Sequence, residues 1–336
     1  MSLSVQVLKH APEQTQTTLL KVADLQVTFK TDAGFVHPVH DISFTIERGR
    51  TLAILGESGS GKSMLMKTIL GIQSPKARVS GNVWVEGRDL LALSAREREE
   101  IRGSRISMIF QNPMTALDPV FTIEAQLIET LQRHRRMSRS AARQRALELL
   151  RLVQIASPEQ RLKAYPFEMS GGMRQRIVIA MALACNPSLL LADEPTTALD
   201  VTVQARVLEL LRSLQKQLGM SIIIVTHDVA VAAEMADDVI VMYAGRVVER
   251  APARELFRNP QHPYTRGLLE ANVHPGQRQR PKAIPGLPPH LARLPQGCAF
   301  APRCSAATDT CWNTMPSELL VSSEHSARCL LLNDRP

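Results

Sequence analysis

Aromatic residues are scarce, 4% of 336 positions (eight Phe, three Tyr and two Trp). So few rings do not supply a surface that recognises sugars or bases by stacking. Long apolar runs are missing too. The longest, Ile177 to Cys185, is about half the ~18 residues a membrane-spanning helix needs. The N-terminal MSLSVQVLKHAPEQTQTT has no apolar segment flanked by positive charge, so no secretory leader is expected. These absences predict a cytoplasmic chain whose dealings with a membrane are peripheral. Cysteine is nearly absent before position 298: only Cys185 occurs, inside an apolar run, where it reads as a small buried hydrophobe. No internal repeat is visible, and only one phosphate-binding motif.

What is present is ordinary for a globular protein, with 44% hydrophobic and 21% charged residues. The length suggests about two domains of ~150 residues each. The formal net charge of +8 permits an anionic ligand, a nucleic acid or a lipid surface and selects none of them. Residues 1–18 are polar and unpatterned and read as a flexible tail. Leu20–Phe29 and His40–Ile46 alternate as strands, and Thr51–Leu55 is an apolar strand. Ser63–Leu70 reads as a helix, and Val83–Val85 and Ile106–Phe110 as short strands. Between Thr122 and Arg161, Leu and Ala recur at helical spacing amid Arg and Gln, which predicts a helical insertion. Strands and helices then alternate: Leu189–Ala192, Val203–Leu218, Ser221–Thr226, Val229–Met235 and Val239–Tyr243. That order predicts an α/β layered fold with a largely parallel sheet. HPGQRQRPKAIPGLPPH, rich in Pro and basic residues, cannot hold a regular element and reads as a linker to the cysteine-bearing tail.

Three motifs carry chemistry. Gly56-Glu57-Ser58-Gly59-Ser60-Gly61-Lys62-Ser63 fits G-x-x-x-x-G-K-[ST] and follows a buried strand directly. Its glycines let backbone N–H groups converge on phosphate oxygens, and the helix that follows aims its positive end at them. Lys62 reaches the β- and γ-phosphates and Ser63 offers a hydroxyl to Mg²⁺. Leu189-Leu-Leu-Ala-Asp193-Glu194 is an apolar strand ending in two acids. The first is placed for the Mg²⁺ shell and the second for orienting an attacking water. Ser170-Gly171-Gly172 opens a helical segment with a hydroxyl and bare N–H groups, an anion-binding arrangement or simply a helix cap.

In this order the three motifs resemble those of the ATP-binding cassette (ABC) ATPases, over roughly residues 18–265. The resemblance implies a P-loop NTPase fold with an inserted helical subdomain, at about 113–175, in a nucleotide-binding domain spanning 19–262. It also implies roles. ATP is held by residues 56–64, Met64 included, with Phe29 stacked on adenine and Phe35 as the nearby competitor. Ser63, Asp193 and Gln111 surround Mg²⁺. Lys62, Glu194, Gln111 and His227 form the catalytic set, with Gln111 as the glutamine of the loop facing membrane subunits and His227 as the switch histidine. Ser170, Gly171, Gly172 and Asp200 face the nucleotide held by a second cassette. The signature departs from the commonest form, with Met169 and Met173 where Leu and Gln are usual.

Tyr165-Pro-Phe-Glu-Met-Ser-Gly-Gly-Met, His262-Pro-Tyr-Thr and Gly297-Cys-Ala-Phe-Ala-Pro-Arg-Cys304 resemble the ATPase subunits of dipeptide/oligopeptide/nickel importers. This implies a loop-rich extension over 263–336. It also implies a homologous ATPase partner in a head-to-tail pairing, expected to be a heterodimer with the homodimer left open, two membrane permease subunits and an extracytoplasmic substrate-binding protein. The chain would sit on the cytoplasmic face of the inner membrane. Peptides are the expected cargo, with nickel or another small solute as the alternative. Cys298, Cys304, Cys311 and Cys329 are spaced C-x5-C-x6-C-x17-C. In several members of that family such cysteines hold a 4Fe-4S cluster. Zn²⁺ and reduced structural thiols stay open beside it. Arg133–Arg145 reads as a solvated basic helix face and not a nucleic-acid site. A soluble ABC ATPase acting on nucleic acid or ribosomes is the remaining alternative, disfavoured by the single cassette and by the lack of a long coiled coil.

Overall fold

The computed structural model describes residues 17–32, 34–111, 116–197, 199–271 and 282–332. The strands are β1 (Thr18–Thr31), β2 (Gly34–Glu47), β3 (Thr51–Leu55), β4 (Arg78–Val85), β5 (Arg88–Asp89), β6 (Ile106–Ile109), β7 (Leu189–Asp193), β8 (Ser221–Thr226), β9 (Asp238–Tyr243), β10 (Arg246–Pro252), β11 (Leu319–Leu320) and β12 (Ser326–Ala327). The helices are α1 (Lys62–Leu70), α2 (Ala95–Ile101), α3 (Ile123–Arg135), α4 (Arg139–Leu152), α5 (Pro158–Leu162), α6 (Gly171–Leu183), α7 (Val201–Leu218), α8 (Val229–Met235), α9 (Ala253–Arg258), α10 (Pro263–Ala271) and α11 (Asp309–Asn313).

The main sheet runs β11-β12-β10-β9-β3-β8-β7-β6. From β9 to β6 all neighbours are parallel, and β10, β12 and β11 pair antiparallel at one end. The parallel strands read as unbroken apolar runs because both of their faces are covered. Leu52, Ile54, Leu189, Leu191, Ile223, Val225, Ile240 and Met242 point to one core, shared with α1 and with β1, β2 and β4. Ala53, Leu55, Leu190, Ala192, Ile222, Ile224, Val239 and Val241 point to the other, shared with α3–α8. The period-2 alternation of a strand thus feeds two separate cores. A second, four-stranded antiparallel sheet, β2-β1-β4-β5, lies over the first core. The expectation of a largely parallel sheet describes the main sheet only, since alternating strands such as β1 and β2 leave one face more open.

The helical insertion spans α3 to α6. Each of α3, α4 and α6 starts at a hydroxyl that accepts from the backbone three residues on: Thr122, Ser138 and Ser170. Ala142, Ala146, Leu149 and Leu150 form the buried stripe of α4. The basic residues of α3 and α4 are paired on the surface: Arg133 of α3 with Glu99, and Arg143 and Arg145 of α4 with Glu124 and Glu148. Cys185 is buried in the same core. Residues 1–16 of the expected tail lie outside the described residues, and β1 begins at Thr18.

The extension is bound to the cassette. β12 pairs with β10 (Glu249↔Ala327, Arg250↔Ser326) and β11 with β12. Fully buried His325 lies 2.8 Å from Glu249 and 3.0 Å from Glu255. Burial opposes charging of His325, but the hydrogen bonds with Glu249 and Glu255 outweigh it and raise its pKa. Burial likewise pushes Glu249 up, yet hydrogen bonds from His325 and from the Gln261 and His262 amides hold it below the ordinary carboxylate range. Phe300 packs edge-on against Tyr243, with ring centroids 5.2 Å apart. Of the expected linker, residues 274–281 lie outside the described part.

Candidate active site

The adjacent strands β3, β8, β7 and β6 all run the same way, so their carboxyl ends open on one crevice. That is where α/β sheets place ligands. Residues 56–63 follow β3, His227 follows β8, Asp193 and Glu194 end β7, and Gln111 stands two residues beyond β6. Positions scattered over 170 residues of chain become neighbours by topology alone.

The loop after β3 is shaped by its glycines. Gly61 has φ 104 and Gly56 φ 152, and a Cβ on Gly61 would drive into the Pro38 carbonyl oxygen. Gly61 caps α1 with no side-chain bond, so the first amides of that helix stay free for an anion. Lys62 curls back: its Nζ donates to the Gly56 carbonyl at 2.7 Å, the Glu57 carbonyl at 2.8 Å and Ser60 Oγ at 3.3 Å. Burial lowers its pKa, opposed by the charges of Glu194, Asp193 and Glu57. Ser58 and Gly59 are exposed, and Met64 is half-buried against the core.

Ser63 Oγ donates to Asp193 Oδ1 at 3.1 Å. Burial raises the Asp193 pKa against this bond. A hydroxyl and a carboxylate at hydrogen-bond distance form an all-oxygen donor pair, which fits Mg²⁺. Glu194 adopts φ 48, a left-handed conformation unusual for its type, and its amide donates to the Val225 carbonyl. Its carboxylate is surrounded: Gln111 Nε2 donates to Oε2 at 3.0 Å, Thr197 Oγ1 to Oε2 at 2.9 Å, and His227 Nδ1 lies 3.1 Å from Oε1. Burial pushes this carboxyl up, but the bonds from His227, Thr197 and Gln111 outweigh it and keep it below the usual carboxylate range. The pair Gln111–Glu194 does not place Gln111 on the Ser63–Asp193 pair, where the Mg²⁺ expectation put it.

The Ser-Gly-Gly element lies elsewhere. Ser170 Oγ accepts from the Met173 amide at 3.3 Å, and a Cβ on Gly171 would meet open space. Asp200 caps α7 by accepting from the Val203 amide at 2.9 Å. Both border a cavity of about 890 Å³ lined by Ser170, Gly171, Gly172, Asp200 and Arg206 among others, and by no residue of 56–63. Phe29, on β1 opposite Val36, is half-buried against the core, whereas Phe35 is exposed. Both ride on the hairpin whose Pro38 borders Gly61.

The four tail cysteines are free thiols, Cys311 and Cys329 buried and Cys298 and Cys304 half-buried. They are near enough for one another's charge to matter, but burial dominates and pushes Cys298 up to about 11. Among the described residues no three His, Cys, Asp or Glu side chains form a group able to hold a metal ion.

Sequence reasoning missed Thr197 at Glu194 and the contacts that reach Glu57 from the extension. The Glu57 amide donates to Tyr264 Oη at 2.8 Å, and Arg303 grips the carboxylate with two bonds of 2.6 and 3.0 Å. Tyr264 lies in the His-Pro-Tyr-Thr motif, which is a signal. Arg303 had none.

A phosphate loop, an acidic strand end and a helix-capping Ser-Gly-Gly on this topology define an ATP-binding cassette, and the comparisons agree. Residues 39–197 match the ABC transporter family model, and residues 248–311 match the oligopeptide/dipeptide transporter C-terminal region. The oligopeptide transport ATP-binding protein OppD of Bacillus subtilis is 48% identical over 321 residues, 94% of this chain and 90% of that protein. OppD of Salmonella typhimurium is 47% identical over 319 residues, 95% of each. A solved dimeric ABC cassette in a post-hydrolysis state, bound to ADP and Pi, superposes with a TM-score of 0.63 at 30% identity, covering 70% of this chain and 99% of that one. The chain belongs to the ATP-binding proteins of the oligopeptide/dipeptide ABC transporters, and it is an ABC-type ATPase.

Proposed function

We propose that this chain is the ATP-hydrolysing motor of a peptide importer. The observation that carries the reading is the shared crevice, where Lys62, the Ser63–Asp193 pair and the Gln111–Glu194–His227 group meet at the ends of adjacent strands. The amides of residues 59–63 and Lys62 hold the triphosphate, Lys62 exchanging its two carbonyl partners for phosphate oxygens. Ser63 and Asp193 hold Mg²⁺, with Gln111 as the expected third ligand. An ion held by these residues would neutralise charge developing on the transferring phosphoryl group. Glu194, kept ionised by its three partners, orients the attacking water. His227 holds Glu194 and faces the γ-phosphate. Adenine stacks on Phe29, with the more exposed Phe35 as the alternative.

The pocket of one chain is incomplete. Its Ser170-Gly171-Gly172 lines a cavity without the phosphate loop, which supports a head-to-tail pair in which the partner's signature and Asp200 loop close over the γ-phosphate. The partner is a homologous ATPase, in a heterodimer by the family resemblance. Exposed Phe110, Val120, Phe121 and Phe167 support docking of two membrane permease subunits beside Gln111. The Ile123 amide bonded to the Ala164 carbonyl brings two of these segments together. No described helix is long and apolar enough to cross a membrane, which fits a peripheral subunit on the cytoplasmic face. Peptide cargo rests on the names of the relatives, and its delivery by an extracytoplasmic binding protein on the family resemblance. The test is reconstitution with both permeases in vesicles. Peptide-loaded binding protein should raise ATP turnover and drive peptide uptake, and both should vanish in Lys62→Ala. Stimulation by a nickel chelate and not by peptides would overturn the cargo assignment.

For the cysteine tail we infer a 4Fe-4S site, with Zn²⁺ as the alternative. Four thiols in one patch and the matched C-terminal region support it, and the lack of a formed ligand group weighs against it. Iron and zinc content after anaerobic purification decides, and a folded protein containing neither would reject both.

A further inference from the structure

Glu57 is an acid set inside a loop built for a triphosphate. Left unpaired, its carboxylate would repel the ligand's charge in a partly desolvated pocket. It is not left unpaired. Arg303, 246 residues away and 5% exposed, meets it fork to fork at 2.6 and 3.0 Å, the geometry that makes Arg–carboxylate pairs strong and directional. Arg303 is itself fixed: its Nε donates to the Pro285 carbonyl at 2.8 Å, and the guanidinium lies 5.9 Å from the ring centres of Tyr243 and Phe300. On the other side of the same residue, Tyr264 Oη holds the Glu57 amide and Lys62 Nζ holds its carbonyl. Every polar group of Glu57 thus has a partner, and two of those partners, Tyr264 and Arg303, come from beyond β10.

We propose that Arg303 is a positioning residue for the phosphate loop, neutralising Glu57 so that the extension sets the affinity for MgATP. The inference rests on the reading of residues 56–63 as the ATP site. It assigns the extension a part in nucleotide binding and not only in packing.

The test is MgATP affinity of the full chain in Arg303→Met, Glu57→Gln and the double variant. Arg303→Met should weaken binding about 5- to 50-fold, more at low salt than at high. Adding Glu57→Gln should relieve most of that loss, because the offending charge is gone; a contact that merely held the fold would not be rescued this way. Parental affinity in Arg303→Met, or a loss that Glu57→Gln leaves untouched, overturns the proposal. If Arg303→Met fails to fold, Glu57→Gln alone is read: tighter binding supports the proposal and weaker binding overturns it. Parental binding that is indifferent to Lys62→Ala would bring down the site reading itself, an outcome distinct from these.

Discussion

His227 Nδ1 stands 3.1 Å from Glu194 Oε1, a contact between the ends of neighbouring strands, while Gln111 and Thr197 occupy the other carboxylate oxygen. Glu194 is therefore ionised and oriented before any nucleotide arrives. Glu194→Gln should bind MgATP like the parent and hydrolyse it about 100-fold or more slowly. Single-turnover ATP hydrolysis, in an assembly where this is the one competent site, checks it. Near-parental turnover would remove Glu194 from its role.

Among the described residues Lys62 hydrogen-bonds only within its own loop, so its value lies with the ligand. At ~100 times the dissociation constant, MgATP should stabilise the parent by about 2.7 kcal/mol. Lys62→Ala should show none of this shift in thermal melts. An undiminished shift in the variant contradicts the assignment.

Gly171 and Gly172 separate the needs of one chain from those of two. A methyl on Gly171 meets nothing, whereas one on Gly172 meets Val203 Cγ1 at 2.8 Å. Gly171→Ala should leave the stability of the isolated chain within ~1 kcal/mol, Ala being the better helix former, yet depress ATP-driven pairing of cassettes. Denaturation and analytical ultracentrifugation with Glu194→Gln and MgATP test both halves.

His325 gives the extension a pH dependence of known sign. Its folded pKa is raised, so its stabilisation is complete below the unfolded value near 6.5 and fades as pH climbs through the folded one. Glu249 is lowered, so its share is complete above the unfolded carboxylate value and fades in acid. The stability gap between parent and His325→Gln should be widest near pH 5–6 and narrow toward pH 8.5, by at most ~1.4 kcal/mol per pH unit. A gap constant over that range in urea titrations contradicts it.

The parts legible in the sequence were those whose signal is local. Thr51–Leu55 followed by glycines, and Leu189–Asp193 ending in acids, carry their meaning within a dozen residues. Val229–Met235 was read with the bounds it has in the structure. In the antiparallel sheet β1, β2 and the end of β4 are legible as strands, whereas β5, two residues long, and the pairing of the four are not. β11 and β12, two residues each, are too short for any periodicity to register. Arg303 on Glu57 and His325 between Glu249 and Glu255 are long-range pairings, and an Arg or a His in a polar tail looks the same whether it is free or buried. Of the four cysteines only the spacing is legible, because how close the loops of the extension bring their sulfurs is a matter of long-range packing.

The short β11–β12 hairpin completes the main sheet beyond β10. Were the chain cut after residue 271, β10 would show its unpaired amides and carbonyls to solvent, a ready template for another chain. Such a shortened protein would tend to associate edge to edge, so a loss of solubility on trimming the tail would report on an uncovered strand and not on a damaged nucleotide pocket.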